Sequence, residues 1–545
     1  MWAAAAADAG RIGEAADGYA AAVGLLPTMA SHGLDRMARE EQLAPWAGLA
    51  ADAAACAILD ARPELAVELL EQGRSVLWTQ ALNLRSDITL LATEAPELAG
   101  RLDNIRAILD SPVPETAPTL SERAATGGPD VVRTLQQQDA ADLRRRKARE
   151  WDEVLTQVRA LPGFEYFLTA IPYPYLKTAA TGGPVVIVNA SRYGCHALIV
   201  DDGNDQPRVV SLPNLSLDSA TEHADGMLAA LAGTTHGRAF QGREQDRHAV
   251  LDVLNWLWDV IAEPVLTELG HTGTPWAGNP WPRVWGCPTG PLAVLPIHAA
   301  GHHPRQRTAA SGSADCVLDR VISSYTPTLA ALARARQPAP ATPVRQLSVG
   351  MPDTPGSASL PGVRAELEVL AYLFPPGAVN HQLTGPQATR ADVLAAMATH
   401  SWVHLACHSS QQHADPASSG FVLWDGTLTV TDLAGQPARH RDLAFLSASE
   451  TAAGGLRHAD EAIHLAAAMQ FLGYRHVIAA MWTIADAPAP DVADAFYTAL
   501  NRGGWPRDEP DPGRAAEALH YAIRSLRQAH PSDPQLWAPY VHLGA

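Results

Sequence analysis

Trp402-Val403-His404-Leu405-Ala406-Cys407-His408-Ser409-Ser410 is a short apolar run that breaks off in small polar residues. Leu443-Ala444-Phe445-Leu446-Ser447-Ala448-Ser449-Glu450-Thr451, followed by Gly454 and Gly455, repeats the pattern downstream. Short apolar runs bounded by turn residues read as buried strands. Further runs near 345–350, 377–382 and 475–482 alternate with helical stretches. The alternation predicts an α/β fold, a mostly parallel sheet with helices on both faces. In such sheets the chemistry sits at the carboxyl ends of the strands. Period-two alternation places His404, Ala406 and His408 on one face, with Val403, Leu405 and Cys407 on the other. His408 and Ser449 then stand at two strand exits. A histidine beside a nucleophile-type residue there makes a dyad, and the loop amides make a cradle for an oxyanion.

Outward from this core, strands are expected near 185–188, 196–200, 209–212, 283–287 and 318–325, with helices near 220–232 and 244–268. Residues 136–335 are therefore expected as a smaller β-rich subdomain and 336–545 as the catalytic one. Residues 111–135 carry Pro112, Pro114, Pro118, Gly127, Gly128 and Pro129 and read as a linker. Residues 1–110 read as an all-α region, with helices near 29–40, 44–59, 63–83 and 97–110. Ala15, Tyr19, Ala22 and Pro27 fit the second helix of a tetratricopeptide repeat. Ala54, Ala57, Ala66 and Leu70, with Pro63 opening a helix, fit a second repeat. An ordinary alanine-rich bundle is the alternative. The first repeat begins mid-helix, so more repeats are expected upstream.

The 545 residues are 47% apolar and carry a net charge of −18. That balance argues against general binding to nucleic acid or anionic membrane. Arg144-Arg145-Arg146-Lys147 reads as a solvated helix face. The only two lysines, Lys147 and Lys177, lie in no P-loop context. Cys56, Cys195, Cys287, Cys316 and Cys407 are scattered and form no C-x-x-C, which favours a reducing, cytoplasmic setting. No signal peptide or membrane span is read in the chain. His298, His302 and His303 with Cys316, and His458, Glu461 and His464, match no standard ligand spacing. No metal and no cofactor is expected.

From about residue 150 to 545 the chain resembles the CHAT family, caspase-like domains found with tetratricopeptide repeats. The resemblance rests on Leu161-Pro162-Gly163-Phe164, Cys287-Pro288-Thr289-Gly290-Pro291-Leu292, Val403 to His408 and Leu446 to Ala452. It continues in Asp460-Glu461-Ala462-Ile463-His464-Leu465, Gly473 to Ile478, Met481-Trp482 with Asp486, and Trp537 to Gly544. It implies a caspase–separase fold and peptide-bond hydrolysis by a Cys–His dyad. The family's histidine matches His408, and its nucleophilic cysteine matches Ser449. Ser409 stands where many members have glycine, beside the backbone that would approach the oxyanion. Asp486 is the candidate partner for an Arg or Lys of a peptide substrate. Asp425 competes with it, although a hairpin turn suits it better. The implied partners are a protein or peptide substrate and a regulator bound through the helical repeats.

Serine for cysteine changes the reacting atom. A thiol near pKa 8.5 is held as thiolate by a neighbouring histidine. A hydroxyl needs a general base during attack and a third group to orient that base. Three readings of Ser449 stay open: an introduced inactivation, a natural pseudoprotease, or a working serine nucleophile. The competing function is a non-catalytic module that binds protein partners. Cys407 is expected to be turned away, as a buried strand cysteine.

Overall fold

The computed structural model describes residues 2–29, 46–74, 91, 94–109, 143, 146–147, 149–162, 164, 167, 170–235, 240–276, 278–305, 315–338, 343–374, 380–410, 418–434, 441–448, 465–484, 486–501 and 510–545. Fourteen strands are present among them. They are β1 (Val185–Asn189), β2 (His196–Val200), β3 (Arg208–Ser211), β4 (Arg283–Pro288), β5 (Ile322–Tyr325), β6 (Gln346–Gly350) and β7 (Asn380–Thr384). After these come β8 (Trp402–Ala406), β9 (Ser409–Ser410), β10 (Gly420–Leu423), β11 (Gly426–Thr429), β12 (Leu443–Ser447), β13 (His476–Ala480) and β14 (Tyr540–Gly544).

Eleven strands form one mixed sheet in the order β3-β2-β1-β4-β5-β14-β13-β12-β8-β6-β7. The neighbours β1–β2, β2–β3 and β13–β14 run antiparallel, and the other neighbouring pairs run parallel. Every residue of β1, β2, β6, β8, β12, β13 and β14 is buried. Strands covered on both faces explain the unbroken apolar runs. A second sheet, β11-β10-β9, is a hairpin plus the two residues that follow the exit of β8.

Two compact units emerge. One holds residues 1–23, 47–75 and 172–545, and the other 24–46 and 76–171. The boundary expected between 335 and 336 falls inside the first unit, and the sheet runs through it. Period-two patterns report burial strand by strand; they carry no sign of which strands are neighbours.

The described residues of 1–110 are helical or in the turns between helices. They include α1 (Ile12–Met29), α2 (Leu49–Leu59) and α3 (Pro63–Gly73). The helix 29–40, the linker 111–135 and residues 75–83 lie outside the described residues. Polar contacts fasten α2 and α3 to the sheet. Asn189 donates to the carbonyl of Ala51 at 2.9 Å, and Ser191 donates to Asp52 at 2.7 Å. The carboxylate of Glu71 accepts from the amides of Leu329 and Ala330, at 2.8 and 2.9 Å. Those amides open the helix α4 (Leu329–Ala335), whose N-cap is Thr328. A negative group there satisfies orphan amides and meets the positive end of the helix dipole. Arg74 adds bonds to Cys287 Sγ and the carbonyl of Pro288.

The second unit has its own core of Leu91, Ala99, Leu102, Ile105, Trp151, Val154, Leu155, Val158 and Phe167. Among the described residues, no helix is long and apolar enough to cross a membrane.

Candidate active site

β8 and β12 lie side by side and parallel, in register from Trp402 with Leu443 to Ala406 with Ser447. Both therefore point their carboxyl ends the same way. Beyond Ala406 the chain leaves the main sheet. The carbonyl of His408 accepts from Val422, and Ser409 and Ser410 pair with Phe421 and Gly420. His408 thus sits where the chain passes from one sheet to the other, half-buried at the rim.

Its ring is held by backbone. His408 Nε2 lies 2.8 Å from the carbonyl oxygen of Ala358. A carbonyl only accepts, so Nε2 bears the proton and the neutral ring keeps its lone pair on Nδ1. Ala358 lies in the loop between β6 and the helix α5 (Gly362–Leu373). That loop is tied down at several points. Met351 donates to the carbonyl of Ala406, while Leu360 and Ser359 bond the carbonyl of Pro352. No side-chain pattern announces a backbone acceptor, so Ala358 left no signal in the sequence.

Asp486 reaches the same element. Its Oδ2 accepts from the amide of Gly362 at 2.8 Å, at the opening of α5. A Cβ at position 362 would stand 2.4 Å from the carbonyl oxygen of Asp486, so the close approach requires glycine. Asp425 occupies the turn between β10 and β11, where Oδ1 accepts from the amide of Arg390 at 2.8 Å. Ser409 is half-buried in β9. Ser449 lies outside the described residues, as do His458, Glu461 and His464.

Beneath this rim runs a buried polar chain. Glu366, on α5, accepts from His404 Nε2 and from Ser447 Oγ, each at 2.9 Å. His404 Nδ1 lies 3.2 Å from the Tyr497 hydroxyl, and the His404 ring stacks on Phe445 at 4.9 Å between centroids. Burial pushes the Tyr497 phenol well above its ordinary range, with the Glu366 charge adding to it. The sequence does carry a sign of Glu366. It lies in the apolar stripe Val363, Leu367 and Leu370, where a carboxylate is out of place.

Cys407 is 1% exposed, and its thiol is pushed up to about 12, first by burial and then by the Glu366 charge. It is neither accessible nor ionised at neutral pH. The other histidine cluster disperses. His298 Nδ1 meets the Tyr325 hydroxyl, His302 meets Asp259, His303 meets the carbonyl of Ala299, and Cys316 bonds Asp319. Among the described residues no three such side chains converge as a metal needs.

A family profile described as CHAT domain matches residues 251–545. No curated protein matches the chain. The chain is similar to the structure of the Arg-specific cysteine proteinase gingipain R, at 10% identity and a TM-score of 0.34, over 55% of this chain and 67% of that one. It is also similar to the Saccharomyces cerevisiae separase–securin complex, at 10% identity and a TM-score of 0.47, over 89% of this chain. The match spans 38% of that structure's chain.

Proposed function

The chain belongs to the CHAT-domain family, and from that premise we propose that it is a caspase-like endopeptidase scaffold whose reacting pair is His408 and residue 449. The observation that carries the reading is the Ala358 carbonyl on His408 Nε2, at the exit of a strand whose parallel neighbour leads to residue 449. If the β8–β12 register is continued by two positions, 408 is set opposite 449. The lone pair on Nδ1 is then the base for the nucleophile.

The same geometry favours sulfur over oxygen. A backbone carbonyl fixes the tautomer but carries no full charge. In a serine triad a carboxylate stabilises the imidazolium that forms. A thiolate–imidazolium pair holds both charges itself and needs no such partner. With Ser449 the chain is therefore proposed to cleave peptides poorly or not at all. Ser449 also favours a second reading, a non-catalytic module that binds protein partners.

Asp486 is proposed to receive an Arg or Lys of the substrate, while one of its oxygens holds Gly362. Ser409 is proposed to border the substrate backbone. The proposed organisation keeps the helices of 1–110 as tetratricopeptide-like repeats that bind a regulator or substrate. All five cysteines are free and buried, which suits the cytoplasmic placement proposed here.

A peptidase assay on four forms tests the reading: the chain as given, Ser449→Cys, Ser449→Cys with His408→Ala, and Cys407→Ser. Turnover is expected only in the Ser449→Cys form, with its activator present. His408-dependent cleavage by the Ser449 chain would establish a serine enzyme. Silence of the Ser449→Cys form would favour the binding module.

A further inference from the structure

Glu366 is 1% exposed, and each of its carboxylate oxygens serves a different strand. Oε2 holds His404 of β8, and Oε1 holds Ser447 of β12. By strand alternation, His404 lies on the same face as His408, and Ser447 on the face assigned to residue 449. An ionised carboxylate only accepts, so His404 donates from Nε2 and Ser447 donates from its hydroxyl. Tyr497 in turn donates to His404 Nδ1. The donors thus run inward from two strands and a helix to one planar group. That group stands on α5, whose leading loop carries Ala358.

We infer that Glu366 is a positioning residue: its two oxygens set the spacing between the carboxyl ends of β8 and β12, and with it the distance from His408 to residue 449. It touches neither reacting atom. The inference rests on the reading of those two positions as the reacting pair.

The test uses the full chain carrying Ser449→Cys. The readouts are the rate of iodoacetamide alkylation of the thiol introduced at position 449, followed by mass spectrometry, and kcat against KM for a peptide substrate. Into it go His408→Ala, Glu366→Gln, Glu366→Asp and Ser447→Ala, each compared by native tryptophan fluorescence well below its unfolding temperature. Glutamine keeps the length and both bonds, since its oxygen accepts from His404 and its amide donates to Ser447. Aspartate keeps the charge but is one methylene short. The expected result is alkylation within about threefold for Glu366→Gln, and a loss on the order of 10–100-fold for Glu366→Asp, as small misplacements cost. Ser447→Ala should fall between them, and kcat should drop with KM unchanged.

Retention in Glu366→Asp with loss in Glu366→Gln would show that charge, not spacing, matters, and would overturn the inference. A slow His408→Ala form beside unaffected Glu366 and Ser447 variants would overturn it alone and leave the reacting pair standing. An unaffected His408→Ala form would overturn the pair and this inference together. Should Glu366→Asp fail to fold, Ser447→Ala carries the test, because it removes one hydroxyl from β12 and leaves Glu366 in place.

Discussion

Mild acid should unfold this protein while most of its carboxylates are still charged. Four buried histidines make the case. Burial pushes His298 and His303 down to about 4, and His476 and His520 down to about 3. An unfolded histidine titrates near 6.5. A folded value below the unfolded one means that the unfolded chain binds more protons. Stability is then full above about pH 6.5 and falls as pH drops toward the folded values. By pH 5 each such group should remove about 2 kcal/mol. The four together remove roughly 8 kcal/mol, comparable with the ~5–15 kcal/mol of a whole domain. Glu71, whose carboxyl burial pushes up, works the other way and offsets a part.

His520 isolates the effect. It is 3% exposed, neither ring nitrogen has a hydrogen-bond partner among the described residues, and its ring lies 4.7 Å from Trp281. His520→Phe keeps the aromatic contact and removes the titration. Thermal unfolding followed by tryptophan fluorescence between pH 7 and pH 5 reads both forms. The parent should lose most of its stability over that range. The variant should lose about 2 kcal/mol less. A melting temperature that stays flat down to pH 5, or equal slopes in the two forms, would refute the reasoning.

Glu71→Leu should strip the opening amides of α4 of their acceptor. It should cost on the order of 3 kcal/mol and speed hydrogen exchange at Leu329 and Ala330 selectively. Thiol alkylation of the native chain at neutral pH should label none of the five buried cysteines, whereas Ser449→Cys should add one reactive site. Gly362→Ala should push Asp486 away and lower the turnover of the Ser449→Cys form, measured with an Arg-containing peptide. Asp486→Ala in the same form should erase any preference for Arg or Lys, read from cleavage-site mass spectrometry.

The strands around the site were legible because each is a run of buried apolar residues. β6, β8, β12 and β13 fall where the alternation of strand and helix puts them. β5 is shorter than its apolar stretch suggests, since Val317 to Asp319 turn as a single 3-10 segment before it. His408 was legible because a polar residue at a strand exit is conspicuous. Its partner Ala358 was not, because it acts through backbone. The tie from Glu71 to α4 was hidden too. A surface-type residue on a helix reads as solvated until the chain brings an unpaired helix opening against it. The joining of early and late strands into one sheet escaped for a related reason, as pairing is decided across hundreds of residues.

That joining bears on how the protein emerges from a ribosome. β14 follows the other thirteen strands in the chain, yet it stands between β5 and β13. Until it is made, the sheet exists as two separate slabs, each with a bare edge of unpaired amides and carbonyls. Bare edges of buried, apolar strands are the sort that stick to other chains. The nascent protein therefore depends on a holding chaperone, or on fast release, for as long as residues 481–539 take to synthesise. A stop codon in that last stretch would leave the reacting half intact in sequence but open along β13.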